Sequence, residues 1–177
     1  MLYILTALKP EAQAFVDKYK LNKSECENFT VFTGNNIKVI VSGLGVNNAK
    51  LATTAIIKKF KPEDDDIFLN IGICGASKEY EIGQLLEIGS IIYNDNKYII
   101  NSDFPNIITC KDSEVYEDND NIVDMESFGF YSAAKDIKNR HIYKVVSDHF
   151  EPSKVTKDKT KSLIFNVIEE VMKKVKV

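Results

Sequence analysis

Glu11, Ser42, Asp124, Glu126, Ser147 and Asp148 each stand at or just beyond the end of a short apolar run. That is where open α/β sheets gather functional side chains, outside the carboxyl ends of their strands. Two glycine-bearing stretches, Ser42-Gly43-Leu44-Gly45 and Asn70-Ile71-Gly72-Ile73-Cys74-Gly75-Ala76, occupy similar positions. Carboxylates and hydroxyls brought together in this way are the material of acid–base chemistry. Each also has a structural reading. The glycines can make tight strand-to-helix turns, Asp124 and Glu126 alternate so that one could face solvent, and Asp148 can cap the next segment. The glycines form no dinucleotide fingerprint, because the third is missing. Neither His141 nor His149 has a partner at metal-ligand spacing, and Cys26, Cys74 and Cys110 form no CxxC pair, so no metal and no cofactor is expected. His149, next to Asp148, could line a pocket mouth, whereas His141 precedes a strand and reads as a surface residue.

The elements that would position these residues alternate between strand-like and helix-like patterns, as in an α/β fold with a mixed central sheet flanked by helices. Leu2 to Ala7 reads as a first strand, followed by a helix whose first turn holds Pro10. Phe29 to Thr33 and Ile37 to Ser42 read as a hairpin about Gly34-Asn35-Asn36. Asn47 or Asn48 is placed as the cap of a helix running to Phe60. Ile67 to Ile71 reads as a buried strand ending in a glycine-rich bend. Gly89 to Tyr93 pairs with Lys97 to Asn101, and Ile107 to Cys110 is a further strand. The polar stretch from Lys111 to Asn121 reads as an exposed or partly disordered loop. Ile122 to Met125, a helix over Ser127 to Lys138 and a strand over Ile142 to Ser147 come next. Leu163, Ile164, Val167, Ile168, Val171, Met172 and Val175 make the apolar stripe of a final helix.

The 177 residues suit one domain over 1–177, with 44% hydrophobic and 28% charged residues. A net charge of −3 offers no footprint for nucleic acid or an anionic membrane. No run reaches membrane-spanning length, Leu2 to Leu8 lacks the features of a signal peptide, and an odd number of cysteines fits a reducing compartment. A cytoplasmic, soluble protein is the expectation. Arg140 is the single arginine and lies just before a strand, at the end opposite the expected site.

Taken together and in order, five segments resemble the purine-nucleoside phosphorylase superfamily, and within it the 5′-methylthioadenosine/S-adenosylhomocysteine nucleosidases most. They are Thr6-Ala7-Leu8-Lys9-Pro10-Glu11, Val41-Ser42-Gly43-Leu44-Gly45, Asn70 to Gly75, Val123-Asp124-Met125-Glu126 and Val146-Ser147-Asp148. The resemblance implies a nucleoside phosphorylase-like fold, a purine nucleoside as ligand, cleavage of its N-glycosidic bond and assembly as a dimer. By that resemblance Asp148, positioned by Ser147, protonates the departing base, and burial would favour the proton it must carry. Glu126 accepts the ribose hydroxyls, Met125 packs on the sugar, and Glu11 orients the attacking water. Ser42 and Asp124 help to hold that water, Lys144 supplies a nearby charge, and Gly75 contributes to the binding surface.

This chain also departs from the family. Asp124 and Lys144 stand where glutamate and arginine are usual, and Cys74 replaces a smaller residue. The segment between Gly83 and Asp124, from about 84 to 121, is short where relatives carry a base-stacking aromatic and part of a lid. Phe104, Tyr116 and Phe150 are the candidates to replace that aromatic. With no arginine fork to capture phosphate, water is the expected nucleophile. A phosphate-dependent phosphorylase and a nucleoside-binding protein without turnover are the alternatives.

Overall fold

The computed structural model describes residues 1–117 and 120–175. Fourteen strands and α-helices succeed one another: β1 (Leu2–Thr6), α1 (Lys9–Tyr19), β2 (Asn22–Cys26), β3 (Phe29–Thr33), β4 (Ile37–Val41), α2 (Val46–Phe60), β5 (Ile67–Ala76), β6 (Leu85–Tyr93), β7 (Asn96–Ile99), β8 (Asn106–Cys110), β9 (Ile122–Asp124), α3 (Ser127–Ala133), β10 (Asn139–Asp148) and α4 (Lys157–Lys174). The expected mixed α/β sheet is present, and β5 is its hub. On one side β5 pairs in parallel with β1, β1 with β4, and the antiparallel β3 and β2 complete an open wing. On the other side the sheet curls into a ring. β5 runs parallel to β10, β10 antiparallel to β6, β6 parallel to β8, β8 parallel to β9, and β9 returns antiparallel to β5. Closure in this way removes edges at which another strand could add.

Period-two alternation explains the layers. In β1, Leu2 and Ile4 face the core under α1 and α4 with Phe15, Ile164 and Ile168, whereas Tyr3 and Leu5 face the core under α2 and α3 with Ile56 and Phe130. Both faces of β1 are buried, which is why it reads as a continuous apolar run. The β6–β7 turn carries Asn94 and Asp95 at positive φ, the backbone that a two-residue hairpin of matching twist requires.

Several boundaries differ from those read in the sequence. β5 does not bend after Ile71 but continues to Ala76. Gly72 and Gly75 adopt ordinary strand conformations and are small because other groups come close. A Cβ on Gly72 would lie 2.9 Å from Glu11 Oε1, and one on Gly75 would lie 3.2 Å from Val123 and 3.6 Å from Asp148 Oδ1. β2, polar and mostly exposed, lacks the apolar alternation that would reveal it. α2 is entered through Gly45 with no side-chain cap, and Asn48 Nδ2 donates to the Leu44 carbonyl instead. β9 stops at Asp124, and α3 ends at Ala133 rather than Lys138. Within the loop expected to be exposed or disordered, Asp118 and Asn119 lie outside the described residues.

α3 crosses α2 at Gly129, where an added Cβ would sit 2.0 Å from the Val46 carbonyl oxygen. A backbone oxygen cannot swing aside as a side chain can, so Gly129→Ala must push the helices apart. The expected loss is about 3 kcal/mol of unfolding free energy in a urea titration, and an unchanged midpoint would disprove the close crossing.

Candidate active site

Glu11 sits in the first turn of α1, directly after β1, and only 1% of its surface is exposed. Its Oε2 accepts the backbone N–H groups of Ala7 (2.9 Å) and Leu8 (2.8 Å), and Oε1 accepts that of Ile73 (2.9 Å). Burial raises its pKa above the usual carboxylate value, against the pull of the Leu8 and Ile73 amides and of Lys144. A carboxylate has about four acceptor positions. The three amides leave one for a molecule in the cavity that Glu11 lines.

Across the ring, Lys144 of β10 reaches Asp124 of β9 at 2.8 Å, with both side chains 1% exposed. Asp124 Oδ2 also takes the backbone N–H groups of Glu126 (3.2 Å) and Ser127 (2.9 Å), and Oδ1 takes the Ser127 hydroxyl at 2.6 Å. Its acceptors are thus committed within the protein, and the carboxylate clamps the entry to α3. Burial works against the charge on Lys144, but Asp124, Glu126 and Glu11 around it more than offset this and hold its pKa above the ordinary value.

The clamp holds Glu126 with its carboxylate towards α2. Glu126 Oε1 accepts the N–H of Gly45 at 2.8 Å, at the N-terminus of that helix. Gly43 and Gly45 both have positive φ, so here the glycine turn is required by conformation. Burial first, and then the charge of Asp124, push Glu126 up to about 7.

At the end of β10, the Ser147 hydroxyl lies 3.1 Å from the Cys74 carbonyl and 2.7 Å from Asp148 Oδ2. Asp148 Oδ1 accepts the N–H of Glu151 at 2.8 Å. His149 is tied down, its Nδ1 lying 2.9 Å from the Ala76 carbonyl.

These groups meet at a cavity of about 290 Å³. Glu11, Gly75, Asp124, Met125, Glu126, Ser147 and Asp148 line it; Ser42 and Lys144 do not. The Ser42 hydroxyl is turned to the Gly43 and Thr6 carbonyls, and Lys144 lies behind the wall. Lys111, Ser113, Glu114 and Val115 from the β8–β9 loop also line the cavity, as do Pro152 and Val155 after β10. Sequence reading missed these residues, because nothing in a polar loop marks which of its side chains turn inward. Phe104, Tyr116 and Phe150 are not among the lining residues, and the described walls are aliphatic: Leu8, Leu44, Ile73, Val115, Val123, Pro152 and Val155. Arg140 holds the Ile137 carbonyl at 2.6 Å, at the start of β10 and away from the cavity.

The sequence profile of the phosphorylase superfamily matches residues 2–107. The chain belongs to that superfamily. Over 101 residues it is 32% identical to a 5′-methylthioadenosine/S-adenosylhomocysteine nucleosidase of Staphylococcus haemolyticus, a match covering 54% of this chain and 43% of the relative. The aligned region thus spans less than half of that curated relative. Among solved structures, the Campylobacter jejuni nucleosidase of the same name superposes with a TM-score of 0.81 at 19% identity, covering 99% of each chain. That of Neisseria meningitidis, in complex with methylthio-immucillin-A, superposes with a TM-score of 0.78 at 16% identity, covering 98% of each. The ring with its flanking helices is therefore the fold of this superfamily.

The proton on Glu126 gives a measurable signature. Its folded-state pKa of about 7 exceeds the reference value of 4.5, so the folded protein holds the proton more tightly than the unfolded chain. That contribution is fully present below pH 4.5 and is lost as pH rises through about 7, an interval worth about 3 kcal/mol. Urea titrations at the two ends of this range should show Glu126→Gln gaining on the wild type by about that amount at the higher pH. An equal difference at both pH values would remove the proton from Glu126.

Proposed function

We propose that this chain is a nucleosidase that hydrolyses the N-glycosidic bond of a purine nucleoside of the 5′-methylthioadenosine kind. The observation that carries this reading is the convergence of Glu11, Glu126 and Asp148 on one cavity from three separate parts of the chain. Breaking the bond builds positive charge on the ribose and negative charge on the base. Asp148 donates a proton to the leaving base, and Ser147 orients it. The Ser147 hydroxyl lies within hydrogen-bond distance of both the Cys74 carbonyl and Asp148 Oδ2, so it can donate to either and fixes the orientation of the Asp148 carboxyl. Glu126 accepts the ribose hydroxyls, and Met125 lies against the sugar. Glu11 directs a water at the anomeric carbon with its remaining acceptor. Asp124 and Lys144 act by holding Glu126 rather than by holding that water.

The charge of the lining supports water over phosphate as nucleophile. Of the five carboxyl groups that line the cavity, Asp124 is neutralised by Lys144 and Asp148 carries the proton to be donated, which leaves Glu11, Glu114 and Glu126 against the lining ammonium of Lys111, itself paired with Asp120 at 2.8 Å. An anion would meet a field of its own sign. The aliphatic walls suit an uncharged base and a thioether substituent. No helix of the described residues is long and apolar enough to cross a membrane, and the three cysteines are free; both features fit the proposed cytoplasmic setting. Leu44, half exposed at the cavity rim, fits a proposed dimer in which a second copy covers the site.

Incubation with 5′-methylthioadenosine, S-adenosylhomocysteine, adenosine, inosine and uridine, with and without phosphate, tests the reading by chromatography of the free base. Purine release without phosphate is expected. Release only with phosphate would make the chain a phosphorylase, and release from none would leave a binding protein. Asp148→Asn and Glu11→Gln should each lower kcat by about 10²–10⁴-fold while the chain stays folded. Near-wild-type turnover in either variant would take that residue out of the chemistry.

A further inference from the structure

The register of β10 against β5 slips by one residue at its functional end. Val146 lies opposite Cys74, but Asp148, not Ser147, lies opposite Gly75. Ser147 is therefore the extra residue of a β-bulge, a device that re-aims neighbouring side chains beside active sites and leaves the inserted residue outside the ladder. Its polar groups must find partners elsewhere. The hydroxyl reaches across to the Cys74 carbonyl, the acceptor beside the slip. The Ser147 carbonyl accepts a hydrogen bond from Lys159 Nζ at 2.8 Å. Lys159 stands in the first turn of α4, twelve residues further on, where Thr156 caps the helix by accepting the Lys159 N–H.

We propose that Lys159 is a positioning residue for Asp148: its ammonium holds the Ser147–Asp148 peptide in the bulged orientation that turns the Asp148 carboxyl into the cavity. Between the two residues the chain makes a tight strap. Phe150 takes up φ +59°, Glu151 donates its N–H to Asp148 Oδ1, and Pro152 and Val155 lie against the cavity. The Lys159 bond closes this strap at its far end, so one contact fixes both the acid and the wall beside it. The same bond gives the Ser147 carbonyl a charge-assisted partner. The proposal rests on the reading of Asp148 as the proton donor.

Kinetics of the wild type, Lys159→Met, Lys159→Arg, Asp148→Asn and the Lys159→Met/Asp148→Asn double variant test it, with amide hydrogen exchange at Glu151 as an independent readout. Lys159→Met should lower kcat about 10-fold with KM within about twofold, because the acid is misplaced while the ribose contacts remain. Lys159→Arg should restore most of that loss, and Lys159→Met should cost nothing further once Asp148 is Asn. The Glu151 amide should exchange faster in Lys159→Met and at the wild-type rate in Lys159→Arg. Wild-type kcat in Lys159→Met, or an equal loss with and without Asp148, would overturn the proposal. Should the wild type release no base at all, the nucleosidase reading fails and the exchange decides the clamp alone, an unchanged Glu151 rate refuting it.

Discussion

Lys144 and Asp124 lie in the interior of the strand ring, where an isolated charge of either kind would cost several kcal/mol. Each is tolerable because the other is 2.8 Å away and because Ser127 and the Glu126 amide complete the shell around Asp124. The pair ties β10 to β9 across β5, so the ring and the site are held by the same contact. It fixes the first turn of α3, which sets the direction of Glu126, whose carboxylate in turn meets the N-terminus of α2. Lys144, by lying among three carboxylates, also keeps the interior from carrying their charge unopposed.

Around this pair the backbone does much of the work usually credited to side chains. Three main-chain amides aim Glu11, one aims Glu126 and one restrains Asp148. Such groups are rigid and lose little entropy in holding an anion, and they become available where the chain turns or, as at Ile73, beyond the last residue at which β1 pairs with β5. Gly72 serves the same end, keeping β5 bare so that Glu11 can approach it, and Gly75 makes room for Val123 of β9. The lining that results consists of acidic carboxyl groups set among aliphatic walls, with Lys111, Ser113 and Ser147 as its other polar side chains.

Much of this was legible in the residue order. Leu2 to Thr6 and the stripe from Leu163 to Met172 announce a buried strand and an amphipathic helix through periodicity alone, and the carboxylates at strand ends identify which turns matter. Other features were hidden for physical reasons. β2 is polar because it is exposed. The continuation of β5 through two glycines resembles a bend because a sequence records a missing side chain and not the neighbour that requires its absence. The loop from Lys111 to Glu117 looks solvated, yet it comes directly after β8 in the ring and so is carried over the cavity.

The sequence by itself determined the α/β class, the superfamily and the identity of four of the five acids that line the cavity, because these depend on local pattern and on residue type. Only the tertiary structure decided that Asp124 spends its oxygens on Lys144 and α3, that Ser42 and Lys144 stand behind the wall, and that Lys159 reaches back to the bulge at Ser147. Those outcomes depend on strand register, ring closure and the competition among donors for each acceptor. All three are settled by groups distant in the chain, and none leaves a periodic trace in the residues themselves.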